Sequence, residues 1–106
     1  MTVLDGGKVD GMGIGKDGGS LVLLLSDHLD WEDEAGHLLA LQEKINAYLG
    51  FIESGQYRDV YPGREFDRIE IEVHFKHAVT ENCRKFVDVA NGTLSALNAK
   101  CVIVES

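Results

Sequence analysis

The sequence predicts an α/β (α+β) two-layer sandwich of order ββαβαβ, a four-stranded mixed sheet with two helices on one face. Three observations predict it. Residues 68–78, "RIEIEVHFKHA", alternate strictly between apolar and polar side chains, as a strand does with one face on a core and the other in water. Two other stretches repeat their apolar residues at helical spacing, one on each side of that strand. A sheet with one wet face needs both helices on its other face. The chain of 106 residues, 44% hydrophobic, is expected to form a single domain over 1–106, long enough to bury a core without staples.

The elements follow in order. "KVDGMGIG", residues 8–15, alternates Met12 and Ile14 with glycines, and Asp17-Gly18 in "KDGGS" signals a turn into "LVLLLS"; the pair reads as a β-hairpin. The second of these strands is apolar at nearly every position, which implies burial on both faces or an inner place in the sheet. From Trp31 to about Glu53, Leu38, Leu41, Ile45, Tyr48, Leu49 and Ile52 fall on one helical stripe, and Gly55 is a stop signal. Residues 54–67, "SGQYRDVYPGREFD", form a connection. After the alternating strand, Thr80 can cap a helix whose Cys83, Phe86, Val87, Ala90, Leu94 and Leu97 share a face. "AKCVIVES" closes the chain as an apolar strand. Right-handed crossovers give the order 1-2-3-4 with the first strand antiparallel. That order leaves the apolar fourth strand at an edge, so either another order holds or something covers the strand, a second copy for example.

Charge and composition restrict the partners. Eighteen acidic against ten basic residues give a net charge of −8, a field that repels phosphate backbones and anionic lipid. No nucleic acid and no membrane is expected as partner. The longest apolar run is Leu21–Leu25, far short of a span. The start, "MTVLDGGKVDGMG", lacks the basic-then-apolar pattern of a secretory signal. Cys83 and Cys101 have no metal-ligand or redox spacing. A cytoplasmic protein with reduced thiols is expected.

The densest chemistry lies in "SDHLDWEDEAGHL", residues 26–38, with five acids, two histidines and the only tryptophan. Asp30 is positioned to cap the helix, with Glu32, Asp33 and Glu34 in a first turn where the helix dipole favours negative charge. Trp31 reads as a core anchor. The sharper alternative has His28, Glu34 and His37 converge on a divalent ion such as zinc, although their spacing is no recognised ligand pattern. Gly13-Ile14-Gly15-Lys16-Asp17-Gly18 matches G-x-G-x-x-G, but a strand follows it where a dinucleotide site needs a helix. His74 and His77 point to opposite faces of a regular strand. Phe51, Tyr57, Arg58, Tyr61 and Arg64 form a mixture of aromatic and arginine side chains of the kind enriched at protein interfaces; the simpler account folds the aromatics back over the end of the core.

"VDGMGI" and "LVLLLSDHLDWEDEAGHLLALQEKINAYLGFIESGQ" resemble a family of small bacterial proteins catalogued only as a domain of unknown function. The resemblance runs from Val9 to Gln56 and is most specific in D-H-L-D-W-x-x-E, H-L and L-Q-x-K-I-N-x-Y-L. It implies a stand-alone bacterial cytoplasmic protein and brings no activity, cofactor or functional residue. The residues themselves show no catalytic set and call for no cofactor. The reading that results is a small acidic protein-binding protein, immunity- or adaptor-like and non-enzymatic, whose partner is another protein or a second copy of itself. The alternative is a metal-dependent enzyme or sensor using His28, Glu34 and His37. A pocket on the wet sheet face around Glu70, Glu72 and His74 is a third candidate.

Overall fold

A computed structural model describes residues 10–63 and 65–105. Its elements are β1 (Gly11–Ile14), β2 (Ser20–Asp27), α1 (Glu34–Ser54), the short α2 (Tyr57–Val60), β3 (Arg68–Phe75), α3 (Glu81–Leu94) and β4 (Ala99–Glu105), with a 3-10 turn over Ser95–Leu97. The strands lie in the order β1-β2-β3-β4. β1 pairs antiparallel with β2, and β2, β3 and β4 run parallel. This is the expected mixed sheet, with α2 and the 3-10 turn as additions. Among the described residues no helix is long and apolar enough to cross a membrane.

Register assigns the two faces. Leu21, Ile69 and Ala99 are cross-strand neighbours, as are Leu23, Ile71 and Cys101, and Leu25, Val73 and Ile103. All but half-buried Ile103 are buried, and with Leu41, Ile45, Tyr48 and Ile52 of α1 and Cys83, Val87 and Leu94 of α3 they form the core. The alternate positions, Val22-Glu70-Lys100, Leu24-Glu72-Val102 and Ser26-His74-Val104, share the opposite face.

The hairpin turn uses Gly18 at φ 75°, a conformation that costs glycine little. The Asp17 carboxylate accepts from Gly19 N–H and ion-pairs with Arg68. The G-x-G-x-x-G run is thus a strand end and a turn that leads into β2. α1 ends on Gly55 in the left-handed region, φ 72°, and α3 begins at Thr80, whose hydroxyl accepts from Cys83 N–H at 3.1 Å.

The two sheet edges are blunted differently. β1 has only four residues, two of them glycine, and a short edge offers little to another strand. β4 is long and apolar, but Asn91 of α3 reaches its outer side. The Asn91 Oδ1 accepts from Cys101 N–H at 2.6 Å, and Nδ2 donates to the Cys101 carbonyl at 3.2 Å. The predicted strand order therefore holds, and at Cys101 the edge is covered from within the chain.

Candidate functional site

The acidic segment folds into a closed polar cluster. Asp27 ends β2 on the core side of the sheet and is buried, as is His37 of α1. Their side chains meet at 2.5 Å, Nε2 to Oδ2, with 1% and 0% of the two side chains exposed. The other ring nitrogen, Nδ1, donates to the Asp30 carbonyl at 2.9 Å. The carbonyl can only accept, so Nδ1 carries a hydrogen, and Nε2 shares a further proton with the Asp27 carboxyl. Asp27 Oδ1 also accepts from Leu29 N–H at 3.1 Å. Trp31 stacks on the imidazole, centroids 3.7 Å apart at 22°, and leans on Phe75. Trp31 works here through its ring; its Nε1 meets no acceptor among the described residues.

The start of α1 differs from expectation. Asp33 is the N-cap, with its carboxylate accepting from Gly36 N–H at 3.1 Å, and Glu34 is the one acid in the first turn. Asp30 instead accepts from Glu32 N–H at 3.1 Å, and residues 31–33 form a turn. The reason is His37. To bond the Asp30 carbonyl, the ring needs the chain to fold back over it before the helix begins. Glu34 accepts from the Asn82 amide at 3.0 Å. That bond, with one from Thr80, holds its carboxyl below the usual carboxylate range and ties the start of α1 to that of α3.

His28 is exposed just beyond the β2 end. Both nitrogens of His37 are engaged, and Glu34 turns to Asn82. Among the described residues no three His, Cys, Asp or Glu side chains are grouped to hold a metal ion, so His28, Glu34 and His37 are not brought together. Cys83 and Cys101 are buried free thiols. Burial raises their pKa values to about 11 and about 12, which suits packing and not nucleophilic attack.

A second buried network extends the β1–β2 ladder past its last rung. The Tyr48 hydroxyl accepts from Asp10 N–H at 2.9 Å and donates to the Leu24 carbonyl. The Asp10 carboxylate accepts from Ser26 N–H at 2.8 Å and meets Lys44 Nζ at 3.0 Å. Lys44 is fully buried. Helical periodicity sorts by apolarity, so it left out Lys44 and offered His37 only as a candidate metal ligand, yet both are buried beside Leu41, Ile45 and Tyr48. The signal that could have found them is the presence of core-side acids, Asp10 and Asp27, at strand ends within one helix's reach. Asp27, Trp31, His37, Lys44 and Tyr48 also lie in the motifs that carry the family resemblance.

The aromatic connection is a small cluster against the core. Phe51 meets Tyr57, and Tyr57 and Tyr61 meet Phe66 at centroid distances of 5.9–6.4 Å. All four are half-buried. Arg58 is exposed and lies over the Tyr57 ring. Arg64 lies outside the described residues. The five candidates therefore divide: three rings close the core end, Arg58 remains at the surface, and nothing describes the fifth.

What the described elements leave uncovered is the second face of the sheet. Leu24 there is 37% exposed, with Val22, Val102 and Val104 half-buried beside it. The Glu70–Glu72 row runs down the middle of these aliphatics. An open trough of about 560 Å³ occupies the hairpin side of this face, lined by Lys16, Val22, Leu24, Arg68, Glu70 and Glu72 among others. His74 lies at 3.2 Å from Glu72 on the same face. His77 falls beyond the end of β3 and is exposed, so the two histidines share no site. Aliphatic side chains around fixed charge, on a rigid sheet, can hold a complementary protein surface.

One family model, described as a family of unknown function, matches residues 1–104. No curated protein matches the chain, and no solved structure does.

Proposed function

The chain belongs to DUF6572, a family of unknown function, and from that premise we propose that it is a protein-binding protein, adaptor- or immunity-like, that docks its partner on the open face of its sheet. The observation that carries this reading is the uncovered face itself, where Val22, Leu24, Val102 and Val104 surround Glu70 and Glu72. The buried clusters support it by exclusion. Asp27–His37 and Asp10–Lys44 are pairs of ionisable side chains sealed from solvent, so neither can touch a substrate as it stands. A net charge of −8 and the acidic row favour a partner with a basic surface. A bacterial cytoplasmic setting belongs to the same proposal.

The test is capture from the native host with tagged wild type and two face variants, Leu24→Asp and Val102→Asp. Expected is a protein retained by wild type, lost by both face variants, and retained by a helix-surface control, Lys85→Ala. All three variants should keep the wild-type circular dichroism. A partner that binds the face variants as well as wild type would refute the proposal.

A further inference from the structure

We infer that β4 is a strand-addition edge held shut by the Asn91 carboxamide, and that the strand it fits is β4 of a second copy of this chain. A carboxamide carries the same donor and acceptor as a peptide group, and Asn91 presents both to one residue, at 2.6 Å to Cys101 N–H and 3.2 Å to its carbonyl. It stands where the neighbouring strand's backbone would stand. The direction of the edge follows from the ladder. Ile69 N–H donates to the Asn98 carbonyl, so the even-numbered residues of this strand turn their peptide groups to β3. Ala99, Cys101, Ile103 and Glu105 turn theirs outward.

A second copy is the occupant because the strand is self-complementary. Between Lys100 and Glu105 it reads Cys101-Val102-Ile103-Val104, uncharged and largely β-branched, the composition that favours pairing. A two-fold axis at Val102, perpendicular to the sheet, runs the two strands antiparallel and keeps the open faces on one side. Cys101 of each copy then lies opposite Ile103 of the other, and each such pair exchanges two backbone bonds. Those are the bonds that Asn91 pre-empts at Cys101. The other end of the strand is fastened as well: the Glu105 carboxylate accepts from Val79 N–H at 3.2 Å and from Arg84 at 2.6 Å. The inference concerns the edge alone, and the open face can bind its partner while this edge stays closed.

The experiment is sedimentation velocity from micromolar to millimolar concentration on wild type, Asn91→Ala and Asn91→Ala/Ile103→Pro. Expected is a wild-type monomer and a dimer for Asn91→Ala at the higher concentrations. The double variant, which lacks an outward N–H, should return to monomer. A folded Asn91→Ala that stays monomeric at millimolar concentration overturns the inference, and so does a wild-type dimer that Ile103→Pro dissociates. Should Asn91→Ala fail to fold, hydrogen exchange on wild type decides: Cys101 N–H protected as strongly as the β3 amides supports the plug, and exchange as fast as at an open edge overturns it.

Discussion

Cutting the Asp27–His37 pair should be among the costliest single changes in this protein. Asp27→Ala leaves the His37 Nε2 with neither its partner nor solvent, since 1% and 0% of the two side chains are exposed. Removing one partner of such a buried pair costs about 3–5 kcal/mol. A domain of this length has roughly 5–15 kcal/mol of total stability, so the loss takes about a fifth of it or more and lowers Tm by on the order of 10–40 °C. His37→Ala should cost a similar amount, because it strands the Asp27 carboxylate and removes the ring on which Trp31 stacks. The double variant Asp27→Ala/His37→Ala leaves no buried charge behind and should cost less than the sum of the singles by about 1–3 kcal/mol. Urea unfolding of the four proteins measures the cycle. Single costs under about 1 kcal/mol, or costs that add within about 0.5 kcal/mol, would refute the reasoning.

Further outcomes follow from the same structure. Asp33→Ala should cost about 1 kcal/mol by losing the N-cap, and more than Asp30→Ala, whose carboxylate serves only a turn; equal costs in urea melts would move the cap. Cys83 and Cys101 should react with a thiol reagent at pH 8 only as fast as the chain opens, and rapidly in denaturant, since both are buried. Burial raises both thiols in the folded chain, to about 11 and about 12 from 9.0. Their contribution to stability is therefore complete below pH 9 and disappears as pH climbs through those values. Burial raises Tyr48 as well, so urea midpoints should fall steeply on the alkaline side. Zinc or a chelator should leave Tm unchanged, because both His37 nitrogens are engaged; a rise with zinc would favour the metal reading built on His28, Glu34 and His37.

Much of the fold was legible because it rests on periodicity. Ile69, Ile71, Val73 and Phe75 alternate with polar residues and are the buried side of β3, and the strand order follows from right-handed crossovers over one face. The helix-1 stripe holds at Leu41, Ile45, Tyr48 and Ile52, with Leu38 and Leu49 half-buried against the core. What hydrophobicity left out of it is His37 and Lys44, both buried. Charged residues enter a core only with partners at hand, and those partners, Asp27 and Asp10, come from strands that are distant in sequence. For the same reason the acids of residues 27–34 could not be apportioned in advance. One binds a histidine, one holds a turn, one caps, and one reaches Asn82 on α3. The cover of β4 was foreseen as a need but not as Asn91, whose side chain serves the backbone ten residues ahead. The open face was readable from the alternation of β3, and its apolar flanks from the unbroken runs of β2 and β4.

The most direct measurement is the amide-exchange footprint of the partner captured from the native host. The account predicts slowed exchange along Val22–Leu24, Glu70–Glu72 and the adjoining part of β4, with residues 27–38 and the outer surfaces of α1 and α3 unchanged. A footprint confined to the helices or to residues 27–38, with the open face exchanging as in the free protein, would contradict it.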